Sequence, residues 1–371
     1  MMNKKYIPFH LKYRPQNFQN IIGQHKATQN LQIAIKKKKL TFAYLLIGQH
    51  GSGKTTLARV VAKALNCIDM KNIPCNICQN CINIHLGQSF DVYEIDADKN
   101  TGIEHIRDVI ERIQFTPIMG QYKVCIIDEA HMLSTSAFNS LLKTIESPPL
   151  NTIFILSTTI IHKIPNTIIS RCQKIYLEPI RNQELTLAIS KILHNEKIKI
   201  TNQAMVSLLN LTKGSFRDAL SIVETLCIDE KLITMADLTN KYKIPSFCII
   251  NSLFEKTCNS NLIDFFSLLD YIQFNQWDED QIFCALYNNV VKSFISNNHN
   301  SYMHSQNLMT LLSQLLETKR SNKFNQFWIP LTTFVLENQL KKRKVEKKNI
   351  ENHFNTRKLR VKYIRISINK I

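Results

Sequence analysis

The sequence has no long hydrophobic run. No part of the 371-residue chain approaches the roughly 20 consecutive apolar residues of a membrane-spanning helix. The basic start MMNKKYIPFHLKYRP is not followed by an apolar stretch of signal-peptide length. We therefore expect a cytoplasmic protein with no membrane partner, whose cysteines remain thiols or bind metal instead of forming disulfides.

Acidic residues and glycine are also scarce. The chain has 29 Asp and Glu against 47 Lys and Arg, a formal net charge of +18, and only 8 Gly. A positive field of this kind favours a polyanionic partner such as nucleic acid. The crowding with Lys, Asn and Ile is also what a strongly A+T-rich coding genome would impose, so both explanations of the charge stay open.

The N-terminal half of the sequence alternates short β-branched apolar runs with amphipathic stretches. The runs predict the strands of a parallel sheet covered by helices on both faces, an α/β fold. They are AYLLIG at 43–48, DVYEID at 91–96, KVCIID at 123–128, TIFILST at 152–158 and KIYLEP at 174–179.

The strands are predicted to stop after Pro179, and the rest of the chain shows helical periodicity. At 371 residues the chain is long enough for two or three domains. We predict a nucleotide-binding domain at 1–180, a small helical unit at 181–241, a linker in KYKIPS at 241–246, a second helical domain at 247–340 and a basic tail at 341–371.

A phosphate-binding motif follows the first predicted strand. GQHGSGKT fits G-x-x-x-x-G-K-[ST], with a strand before it and a helix, TTLARVVAKAL, after it. Backbone N–H groups of such a loop close around phosphates at a helix N-terminus, Lys54 reaches the β- and γ-phosphates of ATP, and the Thr55 hydroxyl binds Mg²⁺. The predicted ATP-binding residues here are Gly48, Gln49, His50, Gly51, Ser52, Gly53, Lys54, Thr55 and Thr56.

Two acidic residues end the third strand, in KVCIIDEAH at 123–131. Unpaired carboxylates are costly to bury, so their place at a strand end indicates function. We expect Asp128 on the Mg²⁺ side and Glu129 to orient or deprotonate the attacking water. His131 is interpreted as structural.

Further polar residues follow the next strand and the first helical unit. Thr158 and Thr159 end a strand, where a hydroxyl beside the γ-phosphate could sense it. Arg171, in a Ser-Arg-Cys triplet, could neutralise charge that develops on the phosphate. Arg217, in GSFRDAL, could reach a nucleotide from a lid.

Four of the ten cysteines form a cluster, C-x7-C-x2-C-x2-C, at Cys67, Cys75, Cys78 and Cys81. Four thiolates so close in a cytosolic chain suit a structural, tetrahedral Zn²⁺. An iron–sulfur cluster is the main alternative, although the C-x3-C-P that would continue a ferredoxin-like motif is missing. The six other cysteines are scattered singly and are interpreted as small buried apolar residues.

The order of the motifs resembles that of the gamma/tau subunit family of the bacterial DNA polymerase III clamp loader. These motifs are the phosphate loop, the cysteine insertion, DEAH, SLLKTIESPP at 140–149 and SRC at 170–172. YRPQNFQNIIGQ at 13–24 is similar to the family's adenine-side segment, and GSFRDALS at 214–221 also matches. The resemblance covers about residues 10–225.

The resemblance implies an AAA+ fold with a three-helix lid and a helical collar through which subunits form a pentamer. It implies partners: other clamp-loader subunits, a sliding clamp and primer-template DNA. ATP binding would open the clamp and hydrolysis would release it on DNA. One of Thr158 and Thr159 would be the first sensor, Arg217 the second, and Arg171 the finger that completes a neighbour's ATP site.

The sequence departs from this family in three places. The segment 95–107 resembles the DNA-facing segment, but its basic residues are sparse, and Lys99 and Arg107 are the candidate phosphate contacts. The tail from Lys341 lacks the apolar pattern that would finish a collar. The long C-terminal extension that tethers polymerase and helicase is absent from the chain, so those contacts are not expected.

Two other functions remain to be weighed against an ATPase motor. A clamp-loader scaffold that does not hydrolyse ATP would keep the fold and the zinc, but it has no physical need for Lys54, Thr55, Asp128 and Glu129. Another AAA+ DNA machine, such as a branch-migration helicase, would not explain the cysteine insertion or SLLKTIESPP. No polymerase active-site carboxylates are found, so a polymerase activity would belong to the assembly.

Overall fold

The computed structural model describes residues 6–69, 72–99, 103–227, 232–243, 245, 247–259, 262–275, 277, 279–296, 313 and 331–337. The chain divides into two compact units, Met1–Thr234 and Met235–Ile371. The predicted basic tail at 341–371 lies outside the described residues, as does most of the second helical domain beyond Ser296.

The first unit is built on a five-stranded sheet in which every pair of neighbouring strands is parallel. The strands are β1 Ala43–Gly48, β2 Val92–Asp96, β3 Lys123–Asp128, β4 Thr152–Thr158 and β5 Gln173–Leu177, in the spatial order β2-β3-β4-β1-β5. Each predicted strand is present with small shifts at its ends. The predicted parallel sheet of an α/β fold is confirmed.

Helices cover both faces of this sheet, as the nearly continuous apolar strands predict. Alternate residues of each strand point to opposite faces, so Leu45 and Phe154 join one core and Tyr44 and Ile155 join the other. The helices of this part are α1 Phe9–Lys12, α2 His25–Lys36, α3 Lys54–Leu65, α4 Gln79–Leu86, α5 Ile103–Ile113, α6 Thr135–Glu146 and α7 Asn166–Ile169. Helices α2, α3 and α4 supply the second core, and α5, α6 and α7 supply the first.

A buried ion pair fixes the loop before β3. The Asp91 carboxylate accepts hydrogen bonds from the backbone N–H groups of Ile118 and Met119 at 2.8 Å and of Gly120 at 2.7 Å, and it lies 3.6 Å from the Lys123 ammonium. Burial by itself raises the pKa of Asp91, but the three amides and the ammonium outweigh it and hold the pKa below its usual value.

A helical subdomain completes the first unit. Its elements are α8 Asn182–Glu196, β6 Lys199–Ile200, α9 Asn202–Thr212, α10 Phe216–Leu226 and β7 Leu232–Ile233. The hydroxyls of Thr201 and Ser215 cap α9 and α10 by accepting from the N–H groups of Ala204 and Asp218. The prediction that no strand follows Pro179 was wrong, because β6 and β7 form a parallel pair; strands of two residues are too short to show alternation.

The second unit is all-α in its described part. Its helices are α11 Met235–Tyr242, α12 Phe247–Asn259, α13 Leu262–Phe274 and α14 Glu279–Ser296. Phe265, Phe283 and Leu286 are buried in a core that also contains Leu331 and Phe334. No helix among the described residues is long and apolar enough to cross a bilayer. The predicted lid boundary at 241 and the collar role of this unit stay predictions.

Candidate nucleotide and metal sites

The carboxyl ends of β1, β3 and β4 meet at one edge of the sheet. A cleft of about 400 Å³ opens there, between the loop after β1, the acidic residues at the end of β3 and the first turn of α10. Crevices at the carboxyl ends of parallel strands are the usual ligand sites of α/β sheets. Of the predicted ATP-binding residues, those that line the cleft are His50, Gly51, Ser52, Gly53, Lys54, Thr55, Thr56 and Arg217.

Lys54 is buried at the start of α3, although its side chain carries a charge. Its Nζ donates hydrogen bonds to the carbonyl oxygens of Gly48 at 3.1 Å and Gln49 at 3.2 Å, and it lies 3.5 Å from Oε1 of Glu129. These oxygens interact with the Lys54 ammonium in the way that phosphate oxygens would. The loop therefore presents a desolvated cation to the cleft, as a phosphate site requires.

The two predicted Mg²⁺ ligands are in direct contact. The Thr55 hydroxyl donates to Oδ2 of Asp128, and the buried Ser157 hydroxyl donates to Oδ1 of the same carboxylate. A hydroxyl and a carboxylate are oxygen ligands of the kind that Mg²⁺ takes beside substrate phosphates. The donor set fits Mg²⁺. Ser157 was missed by the sequence analysis, which selected the next two hydroxyls.

Glu129 adopts a left-handed backbone conformation, with φ of +47°, directly after β3. A non-glycine residue in this region marks a strained position, and such strain is often found at functional sites. Its Oε2 lies 3.4 Å from the Thr159 hydroxyl, which donates to it, and 3.3 Å from Nδ1 of His131. Thr158 is buried, and its hydroxyl lies 3.2 Å from the same His131 nitrogen. Of the two threonines, Thr159 is the one that contacts Glu129.

The helical subdomain approaches the phosphate loop at Gly51. A Cβ atom at this position would lie 1.9 Å from the Ser215 hydroxyl oxygen, and the residue has φ of +72°. Arg217 lies two residues beyond Ser215, in the first turn of α10, and it lines the cleft. The subdomain therefore places an arginine in the lining of the cleft, and contact of Arg217 with a nucleotide remains a prediction.

Arg171 lies outside this cleft. It follows α7, its guanidinium forms a 2.7 Å ion pair with Glu146, and it donates a 2.7 Å hydrogen bond to the Thr167 carbonyl. The side chain is more than one-third exposed. It does not contribute to the nucleotide cleft of its own chain, and its role in a neighbour's site remains a prediction.

The N-terminal segment contributes His10 and Arg14, from α1 and the turn after it, to the lining of the cleft. Neither was singled out as a ligand by the sequence analysis. Burial and the nearby Arg59 guanidinium lower the pKa of Arg14. Three buried side-chain nitrogen or oxygen atoms in the described part of the chain have no hydrogen-bond partner, and two of them, His10 Nδ1 and Ser52 Oγ, belong to residues that line this cleft. Such orphaned atoms favour a polar ligand there.

Helix α1 and the residues beside it are hydrogen-bonded to the helical subdomain at α8 and α10. The Phe9 N–H donates to Oε1 of Glu224 in α10 at 3.0 Å, and the Tyr6 hydroxyl donates to the same carboxylate. Lys12 and Tyr13 both contact Glu196 at the end of α8. The N-terminal segment that carries His10 is therefore held by the helical subdomain that carries Arg217.

The four clustered cysteines come together as predicted. The Sγ atoms of Cys67, Cys75, Cys78 and Cys81 all lie within 4.8 Å of one another. A tetrahedral Zn²⁺ with Zn–S distances of about 2.3 Å separates its sulfurs by about 3.8 Å, so the cluster fits this ion with little movement. The N–H groups of Cys75 and Cys78 donate to the Sγ atoms of Cys67 and Cys75 at 3.3 Å, which helps to stabilise thiolates.

Two side chains connect this insertion to the rest of the domain. Lys63 in α3 is buried and donates hydrogen bonds to Oδ1 of Asn76, inside the cysteine loop, and to Oε1 of Gln16, beside the cleft wall. Asn80 donates to the carbonyl oxygens of Asn66 at 2.9 Å and Met119 at 3.1 Å. The cysteine loop is thus held by hydrogen bonds that do not involve the phosphate loop.

The scattered cysteines only partly follow the prediction that they are buried. Cys125 and Cys172 are buried, and burial raises their pKa to about 12 and about 11. Cys248, in contrast, is exposed, so the prediction was wrong at that residue. Its position in the second unit leaves it away from the four-cysteine cluster in sequence.

The two candidate DNA contacts differ in their surroundings. Lys99 is exposed, forms a 3.3 Å ion pair with Asp96 and lines the edge of the nucleotide cleft. Arg107 is exposed on α5. Both are accessible to a partner, and contact with DNA remains a prediction for each.

Comparisons with known proteins relate most of the chain to replication subunits. A family profile described as "DNA polymerase III, delta subunit" matches residues 23–181. The DNA polymerase III subunit gamma of Buchnera aphidicola subsp. Baizongia pistaciae is 33% identical over 319 residues, which span 84% of this chain and 86% of that protein. The DNA polymerase III subunit tau of Bacillus subtilis is 45% identical over 213 residues, but these span 57% of this chain and 38% of that protein.

Solved structures are more distant. The Thermotoga maritima RuvB Holliday junction branch migration motor aligns with 67% of this chain and 79% of its own, at 17% identity and a TM-score of 0.46. A likeness of this size has no bearing on function. The functional comparison therefore depends on the sequence relatives and on the geometry of the cleft.

Proposed function

The chain belongs to the family of DNA polymerase III gamma subunits, and from this premise we propose that it is an ATP-hydrolysing motor subunit of a clamp loader. The observation that carries the proposal is the convergence of Lys54, Thr55, Asp128 and Glu129 at one end of a single cleft. A scaffold subunit needs none of these four side chains in this arrangement.

In the proposed reaction each residue has a defined task. Lys54 and the N–H groups of the phosphate loop bind the β- and γ-phosphates of ATP, and Arg217 approaches them from the lid. Thr55 and Asp128 hold Mg²⁺, which would neutralise charge on the phosphates. Glu129 orients or deprotonates the attacking water, and Thr159 reports the γ-phosphate to Glu129 through the hydroxyl that contacts it.

Hydrolysis is proposed to require assembly. Arg171 is exposed and lies outside its own cleft, as an arginine that completes a neighbouring subunit's site would. The partners we propose are other clamp-loader subunits, a sliding clamp and primer-template DNA, in the cytoplasm. Tethering of the polymerase and the helicase is not part of the proposal.

Zn²⁺ is proposed as a structural ion. The four cysteine sulfurs would fill its coordination shell, which leaves no open position for catalysis. Its contribution would be to the folding of the segment between α3 and β2. A structural Zn²⁺ can supply on the order of 10 kcal/mol to the loop that binds it.

A second candidate function is a clamp-loader scaffold that does not hydrolyse ATP. The family profile that matches residues 23–181 is described as a delta subunit and not as a gamma subunit, so we keep this alternative beside the motor. The Buchnera gamma subunit, which matches over 86% of its length, favours the motor. Intact phosphate-loop and acidic residues weigh further toward hydrolysis.

The deciding experiment measures the steady-state rate of ATP hydrolysis by the purified chain, alone and with clamp-loader partners, sliding clamp and primed DNA. Glu129→Gln is the inactive variant. Glu111→Gln makes the same chemical change on the exposed surface of α5 and serves as its matched control. If the chain is a motor subunit, we expect weak ATPase activity of the chain alone and strong stimulation by the partners, clamp and primed DNA together. Only Glu129→Gln should lose that stimulation.

The alternatives give different results in the same assay. ATP binding without stimulation in any combination would support the scaffold and require the proposed mechanism to be withdrawn. Stimulation by DNA but never by a clamp would point to another AAA+ DNA machine.

A further inference from the structure

A buried lysine lies beside the cysteine cluster. Lys63, on α3, is only 3% exposed, and its ammonium donates hydrogen bonds to Oε1 of Gln16 and to Oδ1 of Asn76. Both partners are neutral amides. In the described part of the chain no carboxylate forms an ion pair with Lys63. Since a charge is costly to bury unless an opposite charge lies nearby, this ammonium requires a counter-ion of another kind.

The neighbouring cation on the same helix is already paired. Arg59 lies one turn before Lys63 and forms a 2.7 Å ion pair with Glu94, so a carboxylate balances its charge. Burial lowers the pKa of Lys63, the Cys81 sulfur raises it, and the Arg59 guanidinium lowers it. Of these three influences, only the sulfur favours the charged form of Lys63.

The cysteine loop reaches Lys63 through Asn76. This residue lies between Cys75 and Cys78 in the chain. Its side-chain oxygen accepts from Lys63 at 3.1 Å, and its backbone N–H donates to the Cys81 sulfur. Cys81 is 1% exposed, and burial raises the pKa of its thiol. A single residue thus connects the buried ammonium with a buried sulfur that must lose its proton before it can bind metal.

Metal binding would change the charge beside Lys63. Four thiolates around one Zn²⁺ leave two negative charges, whereas four thiols carry none. A buried cation next to the metal-bound cluster would therefore be stabilised by it and would stabilise it in return. Without metal, the same ammonium has only neutral partners.

We infer that the Lys63 ammonium is the counter-charge of the cysteine cluster and stabilises its metal-bound, four-thiolate form. Residues around metal ligands commonly change metal affinity by a factor of about 10 to 100. The effect of Lys63 should differ between the two forms: it strengthens zinc binding, but it is an unbalanced buried charge when zinc is removed. The inference deepens the proposed zinc site and rests on it.

The test measures zinc affinity and local stability of the full chain separately. The affinity for Zn²⁺ is measured by competition with a chromophoric chelator, and hydrogen exchange across α3 and α4 is measured after zinc has been stripped. Lys63→Met keeps the length of the side chain without its charge, and Lys63→Gln keeps an N–H donor without the charge. Lys26→Met, at an exposed lysine on α2, is the matched control.

Lys63→Met and Lys63→Gln should each weaken zinc binding by about 10- to 100-fold, and Lys26→Met should leave it unchanged. In the zinc-stripped chain, Lys63→Met should exchange no faster than the wild type, because an apolar side chain in place of an unbalanced buried ion is often neutral or stabilising. Gln16 and Asn76 are partly exposed, so water can replace the lost donor. A lysine that served only packing would give faster exchange in the stripped variant.

Three results would overturn the role of Lys63. Unchanged zinc affinity in Lys63→Met would show that its charge does not act on the cluster. Wild-type affinity in Lys63→Gln would assign the effect to hydrogen bonding, and faster exchange in zinc-stripped Lys63→Met would assign it to packing. If the wild type binds ATP but no zinc, the proposed metal site fails and the inference fails with it, while the proposed nucleotide site stands.

Discussion

The ammonium of Lys54 lies 3.5 Å from Oε1 of Glu129, so the phosphate loop and the residue after β3 form an ion pair across the cleft. Thr159 and His131 contact the other oxygen of the same carboxylate. A γ-phosphate would compete with Glu129 for Lys54, because both are anions that need the same cation. Phosphate binding would therefore free Glu129 at the moment when water must be activated.

This competition makes Glu129→Gln informative beyond loss of activity. The variant should bind ATP at least as tightly as the wild type, since Lys54 no longer has a competing anion. It should hydrolyse ATP at least ~100-fold more slowly, because it lacks the base. Nucleotide titration and single-turnover hydrolysis measure the two effects, with Glu111→Gln as control. Parallel loss of affinity and hydrolysis would contradict the competition.

Removing the exposed guanidinium of Arg171 should separate binding from hydrolysis in another way. The isolated Arg171→Ala chain should bind ATP normally, since the residue is absent from its own cleft. The reconstituted assembly should lose on the order of 10³-fold in stimulated hydrolysis, as expected for an arginine finger. Arg112→Ala, an exposed arginine on α5, should change neither measurement. Weak ATP binding by the isolated variant would show that Arg171 acts within its own subunit.

The cysteine loop should be separable from the nucleotide site. Cys78→Ser should lose bound zinc and increase hydrogen exchange across 67–86, while ATP affinity changes little, because the loop is held by Lys63 and Asn80 and not by the phosphate loop. Zinc content, exchange and nucleotide titration give the three readouts. Cys248→Ser, at an exposed cysteine, is the control. Equal losses of zinc and ATP affinity would refute the separation.

The buried pair of Asp91 and Lys123 predicts a pH-dependent contribution to stability. The folded-state pKa of Asp91 is lowered, so its contribution is fully present above the unfolded-state value of about 3.9 and is lost as pH falls through the folded-state value. Asp91→Asn should lower the free energy of unfolding by about 3 kcal/mol at pH 7.

Urea titrations of the wild type and Asp91→Asn at pH 7 and at pH 3 measure this difference, and it should shrink at the lower pH. Asp108→Asn, on the exposed surface of α5, should have little effect at either pH. A difference between wild type and Asp91→Asn that does not change with pH would mean that Asp91 contributes by packing alone.

The sheet could be predicted because its strands are apolar runs in a regular order, and the motifs placed Lys54, Thr55 and Asp128 at strand ends that the structure brings together. Ser157 could not be distinguished from its neighbours by pattern. All seven residues of β4 are buried, so alternation gives no sign of which hydroxyl faces Asp128.

The N-terminal wall was less accessible to sequence reasoning. Helix α1 is only four residues long and shows no periodicity. The contact that positions it, from Phe9 to Glu224, joins residues 215 positions apart in the chain. Such a long-range contact has no local sequence pattern.

The close approach of the lid to Gly51 has an evolutionary consequence, since any side-chain carbon there would lie only 1.9 Å from the Ser215 oxygen. The need for glycine in a phosphate loop is ordinarily explained by the close approach of the nucleotide alone. Here the packing of the helical subdomain and the positive φ of +72° impose the same requirement without any nucleotide. A homologous protein that lost its nucleotide would still be expected to retain this glycine for as long as it retained the packing of its lid.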